Sequence, residues 1–133
     1  MNADRVRELG RATLSGSMPF PDIVGRLVAE GVEYYQVDYV GLQMHFYGAQ
    51  GGVVLVPLSF EGLPAVASEF DAPALRAAIL DSLQKGQKFG DFSRRAAEAG
   101  VAVYFAFLRG QRVTYLGRQG EQHVEWFPGA TGH

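Results

Sequence analysis

The feature that most limits what this chain can fold into is that it repeats itself. Sliding the sequence by 69 positions lays Phe20-Pro21-Asp22 over Phe89-Gly90-Asp91, and the register then runs without a gap to the Gly51/Gly120 pair. Within it, Phe20/Phe89, Asp22/Asp91, Arg26/Arg95, Gly31/Gly100, Val32/Val101, Tyr35/Tyr104, Gly41/Gly110, Gly48/Gly117, Gln50/Gln119 and Gly51/Gly120 are identical. Four of these ten pairs are glycines at chain reversals, the mark of a duplicated folding unit rather than of shared composition. Carried outward, the register gives units at about 2–58 and 71–127, joined by a loop at 59–70 that holds Gly62, Leu63 and Pro64. At 133 residues and 47% hydrophobic content, the two units make one ordinary domain, 1–133, with ample material for a core.

Each unit reads as helix, helix, strand, strand, strand. Val6, Leu9 and Thr13 suggest a short amphipathic helix; its counterpart is clearer, with Asp71 as N-cap, Pro73 in the first turn and Leu75, Ala78, Ile79 and Leu83 on one face. A second helix carries Phe20, Ile23, Val24, Leu27 and Val28 in the first unit and Phe89, Phe92, Ala96 and Ala97 in the second. Gly31 and Gly100 stand where a left-handed residue ends each of these helices. Tyr-, Val- and Phe-rich strands at 33–40 and 102–109 follow, with Val40-Gly41 and Arg109-Gly110 as two-residue hairpin turns. Return strands occupy 42–47 and 111–116, and third strands 53–58 and 121–127. The fold class is therefore α+β, a tandem duplication with antiparallel sheets covered by helices on one face.

With that hairpin, Tyr39 faces Leu42, Val37 faces Met44 and Tyr35 faces Phe46, giving an apolar face for the helices to cover; Leu108, Ala106/Val113 and Tyr104/Tyr115 form its equivalent. The opposite face is where the copies diverge. The first unit places Tyr34, Gln36, Asp38, Gln43, His45 and Tyr47 there, with Gln36 across from His45 and Asp38 diagonal to it. That is a candidate ligand-binding set in which an Asp-His contact would orient an imidazole. The second unit places Val103, Phe105, Phe107 and Leu116 there, beside Arg112 and Thr114. This apolar stripe needs a cover, and the candidates are the 59–70 connector, the Trp126-Phe127-Pro128 tail or another subunit, which makes it a candidate interface.

Other chemistry finds little support. Twelve basic and 14 acidic side chains give a net charge of −2, with no general attraction for nucleic acid or anionic lipid. There is no cysteine, so disulfides, thiolate metal sites and a thiol nucleophile are excluded. His45, His123 and His133 follow no ligand spacing, and no metal or cofactor is expected. No serine sits in a nucleophile-elbow setting, so no catalytic residue is assigned. The glycines at 48, 51 and 52 precede no helix and are read as turn residues rather than a phosphate cradle; Lys85, Lys88, Arg94 and Arg95 are read as a solvated basic spot. The charged N-terminus is unlike a secretory signal, and the apolar runs at 53–58 and 101–108 are too short to span a membrane, so a cytoplasmic protein is expected.

With the repeat and the block Ala96-Ala97-Glu98-Ala99-Gly100-Val101 in view, the chain resembles the YdfO-like domain of unknown function. This is a bacterial and prophage-encoded family, some members of which are labelled phage envelope proteins. The resemblance rests on Phe20-Pro21, Gly31-Val32-Glu33-Tyr34-Tyr35 and Asp38, then on Gly86-Gln87, the Ala96 block, Thr114-Tyr115 and Gly120. It implies a duplicated α+β fold of bacterial or prophage origin and no particular reaction. The family pattern carries a cysteine near Ser93, a histidine near Leu83 and a tryptophan near Tyr104, none of which this chain has. The leading expectation is a non-enzymatic accessory or interaction protein whose partner is a second copy or another protein. The alternative is a small-ligand binder or hydrolase-like enzyme working on the polar face of the first hairpin.

Overall fold

Each repeat starts with a carboxylate or amide side chain catching a free helix N–H. Asn2 Oδ1 accepts from the Arg5 amide at 3.1 Å, and 69 residues on Asp71 Oδ1 accepts from the Ala74 amide at 3.0 Å. The computed structural model describes residues 1–59 and 61–130. In it the first unit runs through α1 (Ala3–Ser15), α2 (Phe20–Ala29), β1 (Val32–Asp38), β2 (Gln43–Gly48) and β3 (Val53–Pro57). The second runs through α3 (Ala72–Lys85), α4 (Phe89–Glu98), β4 (Val101–Phe107), β5 (Arg112–Gly117) and β6 (Gln122–Trp126). From the second helix onward every boundary obeys the 69-residue shift; only α3 is one residue longer than α1.

The two three-stranded meanders are fused into one antiparallel sheet of order β3-β2-β1-β4-β5-β6. At the junction Gln36 pairs with Phe105, which is its own equivalent in the other repeat, so a pseudo-two-fold axis passes through that pair. The Tyr39 amide donates to the Ala102 carbonyl at 2.9 Å and the Leu108 amide to the Glu33 carbonyl at 3.0 Å, a reciprocal pair that continues the ladder beyond the strand ends. The helices cover one face, where Val37, Met44, Phe46, Tyr35, Ala106 and Tyr104 form the centre of the core.

Three local expectations need correction. Each hairpin loop has four residues, 39–42 and 108–111, instead of two, because the left-handed position falls on Leu42 (φ 57°) and Gln111 (φ 56°), after the glycine. Gly41 is there for space: a Cβ would come within 2.5 Å of the Asp38 carboxylate, which accepts from the Val40 and Gly41 amides at 2.9 and 2.8 Å. Leu42 consequently leaves the core face and is exposed, although Tyr39 stays buried and the Tyr35/Phe46 and Val37/Met44 pairs form as expected. On the helices, Phe20, Val28 and Leu83 are exposed, since only Ile23 and Leu27 of α2, and Leu75, Ala78 and Ile79 of α3, face the sheet squarely enough to be buried.

The repeats differ in what lies over their second helix. The connector runs back along α4, with Ala67 donating to the Ala97 carbonyl (3.0 Å) and Asp71 to the Ala99 carbonyl (2.8 Å). It crosses so near Gly100 (φ 91°) that a Cβ would strike the Glu69 carbonyl, whereas the site around Gly31 (φ 86°) is empty. Gly31→Ala is therefore expected to cost only the left-handed backbone penalty, about 1–2 kcal/mol. Gly100→Ala should cost a further ~1–3 kcal/mol for the backbone collision. Urea unfolding of the two variants checks this, and equal losses would contradict the asymmetry.

Candidate functional site

The fusion of the meanders brings both candidate surfaces onto one helix-free face. Cross-strand pairing fixes it as three rows. The first contains Pro57, Gln43, Asp38, Val103, Leu116 and Gln122; the second Leu55, His45, Gln36, Phe105, Thr114 and Val124; the third Val53, Tyr47, Tyr34, Phe107, Arg112 and Trp126. The polar set of the first hairpin and the apolar stripe of the second are thus direct neighbours, with Tyr34 beside Phe107, Gln36 beside Phe105 and Asp38 beside Val103.

Aromatic packing binds the third row together. The Tyr34 ring is stacked between Tyr47 (centroids 4.6 Å) and Phe107 (5.7 Å), and at the far end the Arg112 guanidinium lies 4.5 Å above the Trp126 ring. His45 stacks on Tyr47 at 6.1 Å and Phe105 on Phe107 at 5.9 Å. Because these rings lie face to face along the sheet, many of their faces are covered by neighbours and their edges point outward. A platform on which a base or sugar ring could stack is therefore largely pre-empted. The Tyr47 hydroxyl is further tied to Gln36 Oε1 at 3.2 Å.

The expected Asp38–His45 contact does not form. Asp38 is spent on the hairpin turn, and His45 Nδ1 is buried without a hydrogen-bond partner. An open groove of about 510 Å³ lies between α1 and α2, lined by Arg5, Glu8, Met18 and Arg26 among others, and a depression of about 490 Å³ lies by Glu33, Phe107, Arg109 and Arg112. Neither is lined by His45, Gln36 or Asp38. Among the described residues the connector lies along α4, Phe127 packs edge-on against Phe20 of α2, and Trp126 sits at the rim of the same face, which leaves Val103, Phe105 and Phe107 half-buried.

The remaining sequence candidates are accounted for by structure. His45 and His123 lie on opposite faces of the sheet, His123 pairing with Glu125 at 3.3 Å, and His133 lies outside the described residues. Among the described residues no group of three or more His, Asp or Glu is placed to hold a metal. Three of the four cations of the basic spot are ion-paired locally: Arg94 meets Asp91 at 2.8 Å, Arg95 meets Asp81 at 2.7 Å and Lys85 meets Asp81 at 3.4 Å. The Arg95 hydrogen bond holds the Asp81 carboxyl below its ordinary pKa. No helix among the described residues is long and apolar enough to cross a membrane.

One buried polar contact was not expected. Ser93 is fully buried on α4 and accepts from the Tyr39 hydroxyl at 2.8 Å, linking the second helix of one repeat to the hairpin of the other. Only the Ser93 position inside the apolar stripe of α4 hinted at it. Among the described residues no histidine or carboxylate is hydrogen-bonded to Ser93, so the pair is a structural bridge rather than a nucleophile and its base. Around it, burial pushes the hydroxyls of Tyr35, Tyr39, Tyr104 and Tyr115 well above the ordinary tyrosine pKa. No protein-family model matches the chain, and no curated protein matches it.

Two outcomes follow from this tyrosine cluster. Tyr39→Phe or Ser93→Ala should each destabilise by about 1–3 kcal/mol by leaving a buried hydroxyl unpaired. The double variant should lose clearly less than the two singles combined; additive losses in chemical denaturation would show that the bridge carries nothing. The pH dependence has a fixed sign: the phenolate is the charged form, and a raised folded pKa means that only the unfolded chain ionises near the ordinary value of about 10. The stabilisation is complete below that pH and is lost progressively as pH rises above it toward the raised folded values. Tyrosinate absorbance from these four rings should appear together with loss of the circular dichroism signal; ionisation of all tyrosines before any unfolding would contradict their burial.

Proposed function

We propose that this chain is a non-catalytic interaction module that offers the helix-free face of its sheet to a protein partner. The observation that carries this reading is the composition of that face. Charged residues make up 20% of the chain, yet across all three rows only Asp38 and Arg112 carry a formal charge. Asp38 is engaged by the turn and Arg112 by Trp126. Tyr, Trp, Phe and Arg concentrated in a patch depleted of Lys, Asp and Glu is the make-up of an interface core.

A second reading, ligand binding at the polar half by Tyr34, Gln36, Asp38, Gln43, His45 and Tyr47, has one observation in its favour: the unpartnered His45 Nδ1. A partner's donor or acceptor reaching that atom serves equally well, and neither the groove between α1 and α2 nor the depression by Phe107 includes it. The duplicated fold and the Ala96–Val101 block also support placing the chain among YdfO-like proteins, as a bacterial, prophage-derived accessory protein of the cytoplasm.

The test is site-specific photo-crosslinking in cells. A benzophenone amino acid at Phe105 or Thr114 is expected to give discrete protein adducts, while the same probe at exposed Arg76 on α3 gives none. Adducts from the helix side alone would refute the reading.

A further inference from the structure

The helix-free face can be matched to an occupant by its width, its area and its charge. Leu55 and Val124, half and more than a third exposed, stand at opposite ends of the middle row. They are five strand spacings apart, about 24 Å, so a single helix of about 10–12 Å diameter running along the strands cannot cover both. A second sheet of equal width can. Six strands about 4.8 Å apart and three side-chain rows about 6.8 Å apart give a flat area of roughly 600 Å². Side-chain relief raises the accessible surface toward the ~800 Å² per partner of a stable interface.

Resting on the reading of this face as an interaction surface, we infer that its occupant is a second copy of the chain. The two sheets lie face to face about a two-fold axis that runs parallel to the strands between β1 and β4. This axis lays the polar first repeat of each molecule over the apolar second repeat of the other. Tyr47 comes opposite Arg112 of the other copy, Leu55 opposite Val124, and Tyr34 opposite Phe107, while neither Asp38 nor Arg112, the two formal charges of the rows, meets its like charge. A two-fold axis perpendicular to the strands would instead stack His45 on its own copy and set the polar strands β1 and β2 of the two copies against each other. Sheets stacked at about 10 Å leave room for these side chains to interdigitate.

The full-length chain tests this directly. Light scattering with rising concentration is expected to move from the 14.5 kDa chain mass to twice that value. Phe105→Asp, and separately Leu55→Asp/Val124→Asp at the exposed ends of the row, should run as monomers with unchanged circular dichroism; the second variant leaves the core untouched should the first fail to fold. The chain has no cysteine, so Leu55→Cys/Val124→Cys can be treated with a short bis-maleimide. It should give a covalent dimer, because about 24 Å within one molecule is beyond the reagent's reach. Leu55→Cys alone should not cross-link; if it does, the axis assigned here is wrong. A parent that stays monomeric at high concentration overturns the second copy as occupant. If the photo-probe at Phe105 then still yields adducts with a different protein, the interaction reading survives alone, and if it yields none, both fall.

Discussion

Everything in this architecture depends on the antiparallel pairing of β1 with β4. Each repeat alone is a three-stranded meander with two helices, and its first strand has an open edge. Pairing these edges satisfies the backbone groups of both strands and turns two marginal sheets into one with a continuous core beneath it. The reciprocal bonds from Tyr39 to Ala102 and from Leu108 to Glu33 extend the contact, and the Tyr39–Ser93 bridge anchors it to the helix layer.

The same pairing creates the functional surface. By setting the polar strand of one repeat beside the apolar strand of the other, it builds a mixed aromatic face that neither repeat has alone. On the covered side the symmetry is broken in the opposite sense. Gly10 lets α1 settle against Val56 and Phe46, whereas the strand equivalent to β3 carries His123 and Glu125 in place of Val54 and Val56. Two copies of one scaffold have thus been packed differently while their strand registers stayed the same.

Most of the fold was legible in the amino-acid order because duplication doubles every weak signal. A lone Gly31 or a lone Tyr35 says little; each repeated at a fixed distance, inside matching hydrophobic patterns, marks a helix exit and a core position, as both pairs prove to be. The hairpin loop departs from the two-residue expectation because Gly41 answers a steric need set by the Asp38 carboxylate, and Leu42 takes the left-handed position that glycine usually fills. Alternation along each strand puts the candidate residues on one helix-free face, but not beside one another across β1 and β4. Local pattern carries no record of which strand edge finds which, although Val103, Phe105 and Phe107 opposite a buried face already had the two-sided apolar character of an interior strand.

The axis through Gln36 and Phe105 has an evolutionary corollary. A gene for a single unit would have encoded a strand able to pair with its own twin, so the present sheet has the form of an ancestral dimer of half-length chains. Having both halves in one chain makes their encounter unimolecular and independent of protein concentration. It also frees each half from having to match itself, and tyrosine, aspartate and glutamine stand on one side of the axis while phenylalanine and valine stand on the other.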